Sequence, residues 1–130
     1  MIWPVVCAVP NRAEGAPKLS GASHVRIKPA SKLHAIYGRE EADEEYFCNY
    51  EVNPEYERPL AAAGLNITAW GPNDEVRAAE LPSHRFFLAT LFQPQLSSTA
   101  EKPHPLIVAY LEAANRFREA RAVPKVAHQE

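Results

Sequence analysis

No run in this chain approaches the ~20 consecutive apolar residues that a membrane-spanning helix needs. Its start, Met1-Ile2-Trp3-Pro4, lacks the basic residues of a signal peptide. A membrane partner is therefore not expected, and a cytoplasmic setting is. An excess of one charge is missing too: 14 Lys and Arg stand against 16 Asp and Glu, for a formal net charge of −2. That balance gives no electrostatic footing for nucleic acid. Cysteine is scarce, and Cys7 and Cys48 have no paired spacing for zinc or redox work. His24, His34, His104 and His128 follow no ligand spacing, so neither a metal nor a cofactor is expected. No glycine-rich phosphate loop occurs, which removes the usual means of nucleotide binding. Repeats and long linkers are also absent, and the 130 residues read as one domain over 1–123 with a tail at 124–130.

What is present is a series of short β-prone and helical stretches. Ile2 to Val9 reads as a buried strand and Asn11 to Gly21 as a loop. Ser23 to Lys28 alternates, with Val25 and Ile27 on one face. Lys32 to Tyr37 is predicted as a helical turn stopped by Gly38. The acid-rich run Arg39 to Glu45 reads as a solvated loop rather than a metal site, because no histidine accompanies its carboxylates. Tyr46 to Val52 is extended, and Asn53-Pro54-Glu55 has the cap, proline and acid of a helix start. Pro59 leaves two readings open beyond it, one helix or a turn followed by a shorter helix. Leu65 to Trp70 and Val76 to Leu81 flank Gly71-Pro72-Asn73-Asp74, which predicts a β-hairpin. In Pro105 to Val123, Ile107, Tyr110, Leu111, Ala114 and Phe117 form one apolar stripe, the expected core face of a helix covering the sheet.

The chain is organised around Phe86 to Ser98. Phe86 to Phe92 is aromatic, branched or small throughout, the pattern of a mid-sheet strand covered on both faces. Pro94 then stops ladder pairing, so a proline-kinked loop presents Gln93 and Gln95 at the strand's carboxyl end. Chemistry collects at that edge in open α/β sheets.

Phe92-Gln93-Pro94-Gln95 resembles the Phe-His-Pro-Glu segment of class I glutamine amidotransferases, in which the histidine is the general base for a cysteine nucleophile and the glutamate orients it. Tyr50-Glu51-Val52-Asn53, then Ala63-Gly64-Leu65, narrow the resemblance to the amidotransferase domain of CTP synthase. Leu81-Pro82-Ser83-His84 and His104-Pro105-Leu106 fall where that family has similar residues, and order and spacing hold from about Lys28 to Phe117. The chain resembles more specifically the CTP synthase C-terminal region-related proteins, a bacterial side branch. The resemblance implies an α/β fold: the C-terminal part of a class I amidotransferase-like (flavodoxin-like, three-layer) sheet, with a β-hairpin and a covering C-terminal helix. It also implies kinship with pyrimidine nucleotide synthesis.

It equally implies a loss of chemistry. A cysteine nucleophile attacking an amide needs a partner that takes and returns a proton near neutrality, and a glutamine side chain does not titrate there. Gln93 stands at the base position and Gln95 at the orienter position, so no catalytic residue of the family is intact. The Gly-x-Cys-x-Gly elbow appears nowhere in the sequence, and the family's substrate-anchoring arginine corresponds to Asn49. Losses of this kind in other catalytic triads cost roughly 10⁴ to 10⁶ in turnover.

Two functional readings follow. In one, the chain is a piece or remnant of the amidotransferase, with the elbow encoded upstream of Met1. In the other, it is a complete binding or regulatory module whose pocket edge is built from Gln93, Gln95, Asn49, Tyr50 and Cys48, suited to a glutamine-like or neutral hydrogen-bonding ligand. Alternation puts Cys48 on one face with Tyr46 and Tyr50 without saying which face is inside. Cys7 reads as a buried structural thiol, His84 as a turn residue, and Trp3 and Trp70 as packing. An unpaired strand edge at Ile2 to Val9 or its neighbour predicts a homodimer, pairing with the other half of the domain, or marginal stability.

Overall fold

The computed structural model describes residues 2–4, 20–47 and 50–122. Two sheets are present among them. β1 (Ile2–Pro4) pairs antiparallel with β4 (Tyr50–Val52). The larger sheet runs in the order β3-β2-β5-β6-β7 and is antiparallel at every pairing. β2 spans Ser20–Ile27, β3 Glu41–Phe47, β5 Asn66–Trp70, β6 Val76–Glu80 and β7 Leu88–Thr90. Of the strand expected over Ile2 to Val9, residues 5–9 lie outside the described residues, as does most of the loop expected after it. Ser20 and Gly21, the end of that loop, are already paired in β2.

Several local expectations hold. α1 (Lys32–Tyr37) starts where the Ser31 side chain accepts the His34 N–H and stops at Gly38, whose φ of 66° is costly for residues bearing a Cβ. The hairpin is β5 and β6, joined through Gly71 to Glu75. Asn53 caps a 3-10 turn (Pro54–Tyr56) that leads into α2 (Glu57–Ala62), so Pro59 sits in the first turn of a short helix and removes no necessary bond.

Three expectations fail, each for a visible reason. The acidic run is not a loop: it forms β3, paired with β2 from Ser20↔Phe47 to Arg26↔Glu41. Its acids alternate. Ala42 and Glu44 are buried while Glu41, Asp43 and Glu45 face water, and His24 on β2 meets Asp43 at 3.1 Å and Glu41 at 3.7 Å. Period-2 placement and cross-strand pairing thus outweigh the low β-propensity of carboxylates.

Among the described residues, the apolar stretch Phe86 to Phe92 is not a mid-sheet strand: its strand, Leu88–Thr90, pairs with β6 on one side, and β7 stands last in the sheet order. Its hydrophobic residues go to different places: Phe92 enters the core, Phe86 packs edge-on against Tyr110, and Phe87 is largely exposed. A short helix, α3 (Pro94–Ser97), replaces the kinked loop, with Pro94 in its first turn.

The third failure is the stripe on α4 (Pro105–Ala122). Its buried residues are Leu106 and Ala113, whereas Tyr110 is 58% and Leu111 59% exposed. α4 lies against α1 and α3, and small residues on its inner side permit that approach, so bulk alone misidentified the face. Glu112 and Arg116, one turn apart on α4, pair at 3.8 Å. Where α1, α4 and the sheet meet, Val25, Ile27, Leu33, Ala69, Ala78, Phe92 and Leu106 build the core.

Candidate functional site

The loop that carries Gln93 is fastened to the end of β3. Gln93 donates its backbone N–H to the Glu45 carbonyl at 2.8 Å and its side-chain Nε2–H to the Phe47 carbonyl at 3.3 Å. These bonds tie the segment that follows β7 to the last residues of β3, the strand at the other end of the sheet order. The Gln93 Oε1 is buried with no hydrogen-bond partner among the described residues. Gln95 lies in α3 and is exposed. Tyr50 begins β4, with its side chain about half exposed. Cys48 and Asn49 lie outside the described residues, as does Cys7. The structure therefore places Gln93 against the strand that leads to the Tyr-Glu-Val-Asn segment, and keeps Gln95 on the outer side.

A second polar cluster is buried behind this loop, and the sequence reading missed it. His104 is 6% exposed and Glu44 3%. The Nδ1 of His104 accepts the Leu106 N–H at 3.2 Å, which caps the start of α4 and leaves the ring proton on Nε2. Nε2 then donates to both carboxylate oxygens of Glu44, at 3.0 and 3.1 Å. Tyr37 donates its hydroxyl to the same carboxylate and stands edge-on to the His104 ring. Burial pushes the Tyr37 phenol well above its ordinary value, and the adjacent Glu44 carboxylate pushes it further.

Both His104 nitrogens are engaged inside the protein, so the imidazole has no free position from which to take a substrate proton. The cluster joins β3, α1 and α4. The alternation at 41–47 and a His-Pro pair opening a helix were the available signals. His84 is a turn residue: its N–H bonds the Leu81 carbonyl at 3.0 Å and its ring is exposed.

Glu80 is also buried, with no catalytic geometry. Its two oxygens accept the backbone N–H groups of Lys32 at 3.1 Å and Leu33 at 3.2 Å, capping α1 from β6. Among the described residues no group of three His, Cys, Asp or Glu side chains is placed to hold a metal, and no helix is long and apolar enough to cross a membrane.

Known proteins place this arrangement. No family model matches the chain. It is 33% identical to the CTP synthase of Archaeoglobus fulgidus over 126 residues, and 40% identical to that of Aeropyrum pernix over 122. Those alignments cover 92% and 88% of this chain but 24% and 22% of the relatives. The Thermus thermophilus CTP synthase is 36% identical over 126 residues, 89% of this chain and 23% of that protein. In structure the chain matches the glutaminase domain of Trypanosoma brucei CTPS, solved with bound acivicin, at a TM-score of 0.72 and 36% identity. The match covers 76% of this chain and 40% of that one.

The chain is a relative of the CTP synthase glutaminase domain.

The glutaminase relationship accounts for the mixed α/β fold. It also sets the scale, since this glutaminase-related chain spans about a quarter of the length of the curated CTP synthases it matches.

Proposed function

We propose that this glutaminase-domain relative does not hydrolyse glutamine and serves, in the cytoplasm, as a non-catalytic module. One observation carries the reading. At the position resembling the family's general base, Gln93 is a neutral amide whose N–H groups hold the loop to β3, a structural use that leaves no proton acceptor of suitable pKa. Gln95, at the orienter position, is uncharged and exposed. The buried His104 gives no substitute, because Glu44 and Leu106 occupy its nitrogens.

The test is a coupled glutamate assay on the purified chain with glutamine, with and without UTP and ATP. Release at the buffer rate is the expected result, and saturable turnover overturns the proposal. The double substitution Gln93→His with Gln95→Glu should leave the rate at background, since no Gly-x-Cys-x-Gly elbow exists in these residues.

A binding role at the same place is favoured by the Gln93 Oε1, a buried acceptor without a partner among the described residues. The ligand it suits is a neutral hydrogen-bond donor. Free glutamine would find Asn49 in place of the family's arginine, so its affinity should be no better than millimolar, roughly −4 kcal/mol. Micromolar binding in calorimetry would contradict this.

A further inference from the structure

We propose that the cleft between α1 and α4 is a binding site for a small amphipathic anion: an aryl or alkyl body carrying one carboxylate or phosphate headgroup. The cleft holds about 570 Å³, within the ~300–1,000 Å³ of small-molecule sites and well beyond what a bare phosphate fills. Its origin is local. Where the two helices meet, the facing side chains are Ala35 on α1 and Ala109 and Ala113 on α4, too small to close the space. Ile36, Phe86 and Val108 complete an apolar floor.

The rim has the opposite character. It carries Lys32, Arg85 and Arg116 against the single carboxylate of Glu112, a surplus of two positive charges on a chain whose net charge is −2. Glu112 is committed to Arg116 at 3.8 Å, and no carboxylate lies within ion-pair distance of Lys32 or Arg85 among the described residues. Both free cations are nevertheless held in place. Lys32 Nζ donates to the carbonyls of His84 at 3.4 Å and Arg85 at 3.3 Å, and sits 5.8 Å from the Phe86 ring centre. The Arg85 guanidinium lies 4.0 Å over the Phe117 ring. A guanidinium held over a ring in this way still has N–H donors to offer an oxyanion. A headgroup between Lys32 and Arg85 would place its apolar body on the alanine floor. Nothing in this arrangement involves the Gln93 loop, so it stands or falls apart from the lack of hydrolysis.

The experiment is amide-resolved NMR titration of the full chain with phenyl phosphate, alongside phenylacetate, inorganic phosphate and benzyl alcohol. Phenyl phosphate and phenylacetate should both shift the amides of Ala35, Ile36, Phe86 and Ala109 saturably, and the tighter of the two names the headgroup. Lys32→Gln with Arg85→Gln, both on the rim, should weaken binding at least tenfold with the rest of the spectrum unchanged. Ala109→Leu, which fills the floor, should do the same. Failure of both aryl anions to shift these amides at about 10 mM overturns the proposal. So does benzyl alcohol binding as tightly as phenyl phosphate, which would make the cleft merely apolar, or inorganic phosphate matching it, which would make the floor irrelevant.

Discussion

Glu41–Phe47 and Phe86 to Phe92 are both seven residues long, and their compositions suggest opposite fates. The first is mostly carboxylate yet forms a full strand, paired along its whole length with β2. The second is apolar but for Thr90 yet, among the described residues, yields only the three-residue strand β7, last in the sheet order. Composition measures how much a segment gains by leaving water, whereas pairing depends on what alternates across the pleat and on the neighbour it meets. In β3 the inward positions are Ala42 and Glu44, and the carboxylate of Glu44 is fully provided for by His104 and Tyr37. In the apolar segment the side chains serve three separate environments, which no single strand could reach.

The comparison can be sharpened by mutation. The largest effect is expected at Phe92, 3% exposed in the core. Phe92→Ala should cost about 3–5 kcal/mol in urea unfolding, whereas Phe87→Ser, in the same segment but 40% exposed, should stay within about 0.5 kcal/mol. Equal losses would restore the view of a uniformly buried strand. Next is Glu44→Ala, which strands the buried imidazole and the Tyr37 hydroxyl and should cost about 3 kcal/mol. Glu45→Ala, one residue on and facing water, should change stability by less than about 0.5 kcal/mol. A cost for Glu44→Ala as small as that would mean β3 is held by its ladder alone.

Two smaller effects depend on pH. The Tyr37 phenol is raised in the folded state, so its contribution is fully present below the ordinary tyrosine value of 10.0 and declines as pH rises above it. Stability measured between about pH 9 and 11 should therefore fall more steeply for the native chain than for Tyr37→Phe. The smallest effect belongs to Glu75. Burial pushes its carboxyl up, but hydrogen bonds from Arg77 and from the backbone N–H groups of Asn73 and Glu75 outweigh this and hold it below the ordinary 4.5. Its contribution is present above that value and lost as pH falls through the depressed one. Glu75→Gln should flatten the acid limb of the stability curve slightly, and an unchanged limb would show the hairpin carboxylate to be inert.

Sequence was a good guide where the determinants are local. Gly38, Asn53 and the Gly71 to Asp74 link each act within a few residues, and the end of α1, the 3-10 turn and the β5–β6 hairpin follow from them. It failed where a partner far along the chain decides the outcome. Glu44 is buried because His104 lies 60 positions away, and nothing in 41–47 signals that partner. On α4, two apolar faces compete, and the smaller one faces inward because α1 comes close there. At the candidate site, the Gln93 loop is held beside the end of β3 through main-chain carbonyls, contacts that no motif in the sequence encodes.

The Glu80 cap on α1 has a consequence for the order of folding. A six-residue helix pays the full nucleation penalty for very few internal bonds and has no stability alone. Two of its first N–H groups are satisfied by a side chain 47 and 48 residues downstream, so the helix waits for the hairpin to close that long loop. Early local helix followed by docking is therefore not the expected route for this segment. In pulse-labelled hydrogen exchange, protection over 32–37 should arise in the same phase as protection over 76–80, and Glu80→Ala should delay the first while leaving the hairpin's own phase in place.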